Sequence, residues 1–451
     1  MNARWFPPVV AFFASLSWRG CILVLWPTAY AFDGYQRWAG RDHILVQDWL
    51  PATQSVIWLV ASLGGGIREG RIAMSLVGAV AAALGTLLVQ QLAAPAGERA
   101  ARVAGWAFVV GALFGPWGSW GTVFYQESTF IGVLFGALYL ASSGRLVAAD
   151  LVIGLLGLVR YEGWPCVLLY MGWRREWRST VATWGIAVWI GIRLAGIEGY
   201  HASPVNFADW EGLSDRFSWK TYRHDLEMLI YRLANSGGMT WVILGTIGLL
   251  AFRRSSMVVL LGLLFASQAA ATFAWLAGLE VSTSRMLVIP TALAATLGAL
   301  GVAWAEAKVR WKWIAPVSLM VVLAISLVDS GRRANVEGMR VRQERAAVAT
   351  MEECPGCTWW VVPRKRLGTR ERHDGCEVIQ GITDMQHGRE FFCAPWVGDD
   401  DTSSLYATCS GTVRWDGGKR EYVVERHLAG TASAPPIATE ETSPPEPTQD
   451  E

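Results

Sequence analysis

The sequence predicts an all-α polytopic membrane protein with a small polar domain behind it, and three observations carry that prediction. Hydrophobic residues fill 52% of the 451 positions and charged residues only 17%, more apolar mass than a water-soluble core of this length buries. Apolar stretches long enough, or nearly so, to cross about 30 Å of hydrocarbon follow one another from residue 8 to residue 328. Beyond residue 328 the composition changes to short apolar runs set among Gly, Asp and Cys.

Taken in order, the expected spans are 8–31, 72–93, 103–120, 128–141, 146–172, 180–196, 239–252, 257–279, 286–305 and 314–328. The stretch 146–172 reads as a broken pair, because Arg160-Tyr161-Glu162-Gly163-Trp164-Pro165 puts charges, Gly and Pro in its middle. About ten or eleven transmembrane helices result. The first span lacks a small-residue cleavage pattern and is longer than a signal-peptide core, so it reads as a retained anchor, with Arg19 an awkward charge inside it.

Loop charge sets the expected orientation. With the N-terminus in the cytoplasm, the inward loops carry dense basic clusters: Arg99 and Arg102, Arg145, Arg174 with Arg175 and Arg178, Arg253 with Arg254, and Lys308, Arg310 and Lys312. The outward loops also hold Arg37, Arg41, Arg68 and Arg71, so the asymmetry is one of density. This places the chain in the cell (inner) membrane as a multi-pass protein with its C-terminal domain extracytoplasmic. A net charge of +1 offers no basic face for phosphate backbones, which argues against a nucleic-acid partner. No internal repeat stands out, which removes one support for a secondary transporter.

Three regions follow: a transmembrane domain over 1–328, a Cys-containing α/β or β-rich domain over 329–428, and a Pro/Thr/Glu tail over 429–451 that holds too little apolar surface to offset the entropy of ordering. Five cysteines, Cys354, Cys357, Cys376, Cys393 and Cys409, crowd into the middle region. In an oxidising compartment they suit two disulfides with one thiol left over, of unassigned connectivity; in the cytoplasm Cys354 and Cys357 could begin a zinc site, although no second Cys-x-x-Cys follows.

Chemistry is sought where ionisable groups meet the outer membrane face, because charges there are costly and commonly functional. Four islands qualify. The first runs from Phe32-Asp33-Gly34 through His43 to Gln47-Asp48-Trp49-Leu50-Pro51; both Asp33 and Asp48 also read as ordinary helix-capping residues. The second is Tyr125-Gln126-Glu127-Ser128, which equally suits a capping turn. The third is Leu158-Val159-Arg160-Tyr161-Glu162-Gly163-Trp164, where a buried Arg and Glu either pair with each other or serve a ligand. The fourth is Ser282-Thr283-Ser284-Arg285-Met286-Leu287-Val288-Ile289-Pro290, whose Arg is suited to bidentate phosphate contacts or to anchoring at the interface.

In this order the islands resemble the type C (GT-C) membrane glycosyltransferases that use polyprenyl-phosphate sugars, the protein mannosyltransferase and aminoarabinose transferase type. The resemblance spans about 32–305 and leaves out the Cys-rich domain. It implies a GT-C-like helical bundle, and a transferase that moves a sugar from a lipid-linked donor to a hydroxyl of a glycan, lipid or protein acceptor. It implies Asp33 as general base, Asp48, Glu127, Arg160 and Glu162 as the acceptor or donor pocket, and Arg285 on the donor phosphate. Many members carry Asp-Glu where this chain has Asp33-Gly34, and Tyr where it has Met286. No cofactor is expected, and no metal is assigned, because the first loop has no Asp-x-Asp. Tryptophans such as Trp38, Trp49, Trp117, Trp120, Trp164, Trp210 and Trp219 suit sugar stacking as well as an interfacial belt. Two other classes fit the same spans: a transporter or lipid-linked glycan flippase, and a non-catalytic envelope assembly protein.

Overall fold

In the computed structural model the first helix, α1 (Phe6–Leu25), takes Pro7 and Pro8 into its first turn, where a missing N–H costs nothing. The structure describes residues 5–25, 50–113, 117–118, 121–122, 124–195, 219–278 and 284–308, isolated positions between them, and the backbone of six strands nearer the C-terminus. The chain divides into two compact units, Met1–Asn335 and Val336–Glu451.

The first unit is helical. After α1 come α2 (Pro51–Ser62), with Pro51 at its first position, and α3 (Ile67–Ala93), whose Glu69 carboxylate accepts the Gly66 backbone N–H at 2.8 Å. Next are α4 (Glu98–Ala112), α5 (Glu127–Ser142) and α6 (Leu146–Gly154), the last tightening into a 3₁₀ turn over Leu155–Leu158. The chain then breaks at Val159–Glu162 and resumes as α7 (Gly163–Arg174). A 3₁₀ turn (Trp177–Thr183) leads into α8 (Trp184–Leu194). The amphipathic α9 (Trp219–Asn235), α10 (Gly238–Ala251), α11 (Ser256–Gly278), a 3₁₀ turn (Ser284–Leu287) and α12 (Val288–Lys308) complete it.

The count of spanning helices departs from the sequence expectation. Among the described residues four segments are long and apolar enough to cross a membrane: Phe6–Val24, Arg68–Ala96, Ser256–Phe273 and Arg285–Lys308. A fifth results if Leu229–Asn235 and Gly238–Ala251, bent by 84°, form one broken span. The bend falls where Gly237 takes a φ of 78°, a conformation that favours glycine. Of the other expected spans, α5 is 16 residues long, α4 is 15 and α8 is 11, short of the roughly 20 residues that hydrocarbon requires. α5 covers its whole expected stretch, whereas α4 ends at Ala112 and α8 at Leu194, inside theirs. Of the expected span 314–328, eight positions are described, all helical, and the other seven lie outside the described residues.

The core is built around α12, which is buried without interruption from Val288 to Ala303. A helix apolar on all sides belongs in the middle of a bundle. It meets α10 at very close range: a Cβ on Gly245 would lie 3.0 Å from the Ala294 carbonyl oxygen, and one on Gly248 or Gly301 would strike the facing backbone. Small residues at such crossings let helices approach where hydrocarbon supplies no hydrophobic drive. Alternation of the helices puts Arg99, Arg145, Arg174 and Lys308 at one end of the bundle and Arg71, Glu127, Arg160 and Arg285 at the other.

The second unit carries a six-stranded sheet in the order β2–β3–β1–β4–β5–β6, with β1 (Cys357–Val362) parallel to β3 (Cys376–Gln380) and the other neighbours antiparallel. β2 is Thr369–His373, β4 Arg389–Pro395, β5 Cys409–Asp416 and β6 Glu421–His427. Cys393 of β4 stands directly opposite Cys409 of β5 in the ladder.

Candidate functional site

Glu127 is the first residue of α5, and its side chain is only 3% exposed. Its Oε1 accepts a hydrogen bond from Arg285 Nε at 2.7 Å and a second from Arg160 Nη1. Arg160 in turn makes a two-point contact with Glu162, Nε to Oε2 at 3.1 Å and Nη2 to Oε1 at 2.7 Å. Two guanidiniums and two carboxylates thus form one buried cluster drawn from three distant stretches of chain. Pairing offsets much of the cost of burying such charges. Glu127 Oε2 is buried without a hydrogen-bond partner among the described residues.

The break between α6 and α7 is what brings Arg160 and Glu162 inward. Gly163 opens α7, and a Cβ there would lie 2.6 Å from the Leu156 carbonyl oxygen, so only glycine lets the chain turn this tightly. The turn is closed by the Gly163 N–H to the Arg160 carbonyl at 2.9 Å and by the Trp164 indole N–H to the Gly157 carbonyl at 3.2 Å. From α11, the Gln268 amide donates to the Glu162 carbonyl at 2.8 Å, and the Thr272 hydroxyl donates to the Met286 carbonyl at 3.2 Å, fixing the turn that carries Arg285. The Arg285 guanidinium also lies over the Tyr125 ring, 3.8 Å from its centroid, where the ring face favours a cation.

Two further arginines brace the segment ahead of Glu127. Arg19 of α1, fully buried, donates from Nε to the Ser15 hydroxyl at 3.2 Å and approaches the Gly118 carbonyl; Arg71 of α3 donates from Nε to the Thr122 carbonyl at 3.1 Å. A Cβ on Gly121 would strike both Arg19 Nη1 and Ser128 Oγ, so the guanidinium and the first turn of α5 meet over that glycine.

A cavity of about 20 Å³ lies against Glu127, Arg160, Glu162, Gln268, Thr272 and Arg285. The space is partly open, enough for one water molecule, which needs about 10–15 Å³, and as it stands too small for a sugar or a phosphate group. Among the described residues no three His, Cys, Asp or Glu side chains gather as a metal cluster.

Comparison with known proteins gives little beyond this geometry. No protein-family model matches the chain, and no curated protein matches it. Among solved structures, the oligosaccharyltransferase of Archaeoglobus fulgidus, crystallised with zinc and sulfate, superposes with a TM-score of 0.44 at 14% identity, over 73% of this chain. The chain spans 53% of that protein's length.

Of the residues singled out in the sequence, the structure brings Glu127, Arg160, Glu162 and Arg285 together. Asp33 and Asp48 lie outside the described residues, as does Cys354, and the side chains of Cys357, Cys376, Cys393 and Cys409 are likewise outside them. Two anchors flank the first loop. The Arg37 carbonyl accepts the Gln54 amide of α2 at 3.0 Å, and Leu50 is buried in a cluster with Trp189, Tyr161 and Trp164, against the same α6–α7 break that carries Arg160.

Sequence reading passed over Tyr125, Gln268, Thr272, Arg19 and Arg71 as site residues. Gln268 and Thr272 stand four apart, on one face of an otherwise apolar helix, which is the signal that could have found them. Arg19 and Arg71 were visible only as charges near helices.

Proposed function

We propose that the chain is a membrane glycosyltransferase that moves a sugar from a polyprenyl-phosphate donor to an acceptor hydroxyl at the extracytoplasmic face. The observation that carries this reading is the convergence of Arg285, Arg160, Glu127 and Glu162 on one buried cluster at the end of the bundle opposite its basic loops. A permanently charged guanidinium at that depth suits a lipid phosphate, which it meets through paired N–H donors.

In the reaction Asp33 takes the proton of the acceptor hydroxyl as the hydroxyl oxygen attacks the sugar's anomeric carbon. The bond from that carbon to the phosphate oxygen breaks, and the polyprenyl phosphate leaves with the electron pair, its charge met by Arg285. Asp48, Glu127, Arg160 and Glu162 shape the pocket around the two substrates. The anchoring of Leu50 beside the α6–α7 break, and of the Arg37 carbonyl on Gln54 of α2, supports a first loop that reaches this end of the bundle. In the same reading the N-terminus is cytoplasmic, and the C-terminal domain is extracytoplasmic with its cysteines oxidised.

The test is turnover by the full-length protein in lipid nanodiscs, supplied with radiolabelled polyprenyl-phosphate sugar and membrane extract as the source of acceptor. Asp33→Asn keeps the side chain's size and removes its basicity, so turnover falls on the order of a hundredfold with donor binding unchanged. Normal turnover in that variant places the base elsewhere, with Asp48 next in line. No transfer by the unaltered protein to any acceptor in the extract counts against the enzyme reading itself.

A further inference from the structure

We propose that Glu127 occupies, in the ligand-free chain, the place on Arg285 that the donor phosphate takes, so that donor binding is an exchange of one anion for another. The inference rests on the reading of Arg285 as the phosphate residue, and it adds a gating residue to that site.

Three observations point to the exchange. The cavity beside Arg285 is partly open and, at about 20 Å³, too small as it stands for a phosphate group, so seating one against the guanidinium calls for a lining group to give way. The group in contact is a carboxylate: Glu127 Oε1 sits 2.7 Å from Arg285 Nε, with the two side chains 3% and 13% exposed. A carboxylate and a phosphate offer an arginine the same paired oxygens, so each can stand in for the other.

The hydrogen bonding of Glu127 is also lopsided. Its Oε1 serves both Arg285 and Arg160, while Oε2 is buried with no partner among the described residues. Giving up Arg285 therefore leaves Glu127 on Arg160, and the carboxylate is not stranded as a lone buried charge.

Charge balance then calls on a further cation. Arg160 and Arg285 are matched by Glu127 and Glu162, so an arriving phosphodiester leaves the four-residue cluster with one negative charge in excess. Arg19, buried against Gly121 where it meets Ser128, has no carboxylate partner among the described residues and supplies the offsetting positive charge.

The experiment measures binding of undecaprenyl monophosphate to the full-length protein in detergent micelles, for the unaltered chain and for Glu127→Gln, Glu127→Asp and Arg285→Ala. Exchange predicts that Glu127→Gln binds the lipid on the order of tenfold tighter, because the competing anion is gone, with Glu127→Asp in between. Thermal unfolding supplies the second readout: Glu127→Gln lowers the midpoint of the ligand-free protein but enlarges the rise that the lipid produces. A Glu127→Gln protein that binds more weakly, with a smaller lipid-induced rise, overturns the exchange and makes Glu127 a fixed orienting partner of Arg285, leaving the phosphate reading intact. Undiminished binding by Arg285→Ala overturns the phosphate reading and the exchange with it.

Discussion

Arg285 and Glu127, 158 positions apart in the sequence, meet at 2.7 Å through Nε and Oε1, and that contact joins the turn ahead of the central helix α12 to the first residue of α5. The pair lies where the arginine also covers the Tyr125 ring, so its position is set from two sides.

Donor dependence separates the roles of this arginine. With Arg285→Ala, half-maximal turnover needs at least tenfold more polyprenyl-phosphate sugar, and raising the donor concentration restores part of the rate. Arg285→Lys keeps the charge but loses the forked geometry, so it falls between the two. Initial rates over a donor titration check this, and an unchanged donor dependence in the alanine variant removes Arg285 from the site.

Arg160 is the cation that both carboxylates share, so Arg160→Met leaves buried negative charge poorly compensated. Loss of one partner from such a group costs about 3–5 kcal/mol, enough to lower the unfolding midpoint by many degrees. Pairing it with Glu162→Gln removes the carboxylate that Arg160 holds at two points, while Glu127 keeps Arg285, and recovers part of the loss. Thermal unfolding in detergent of the single and double variants measures the coupling; strictly additive effects would contradict a shared ion-pair network.

Gly121 and Gly172 make a matched comparison. A methyl group on Gly121 collides with Arg19 Nη1 and Ser128 Oγ, whereas one on Gly172 meets nothing within 4 Å. Gly121→Ala therefore destabilises by about 1–3 kcal/mol through overpacking, and lowers turnover by shifting the start of α5. Gly172→Ala, inside α7, is neutral or slightly stabilising because alanine is the better helix former. Unfolding midpoints of the two variants decide it.

Register in the second unit gives a thiol prediction. Facing residues of an antiparallel pair have Cα atoms about 4.5–5.5 Å apart, within disulfide range, and Cys393 faces Cys409. On the proposed extracytoplasmic placement of the domain, an impermeant maleimide added to spheroplasts leaves these two cysteines unlabelled until a reductant is supplied. Labelling without reductant, or only after the membrane is permeabilised, contradicts that placement.

What the sequence by itself determined is local. Hydropathy marks the apolar helices because burying or solvating a stretch of side chains depends on those side chains alone. Gly163 and Pro165 following Arg160 and Glu162 mark a helix break for the same reason, and the chain does break there. That Arg160 and Glu162 require compensation also follows from their types and setting. The tertiary structure alone decided which partners compensate. Arg285 finds Glu127, Arg19 disappears into the space above Gly121, and Gln268 reaches the Glu162 carbonyl, all through packing of elements far apart in the chain. It also decided how many helices keep spanning length. Ending a helix such as α4 at Ala112 is a balance between continued hydrogen bonding and the turns its neighbours demand, a balance struck between elements and not within one.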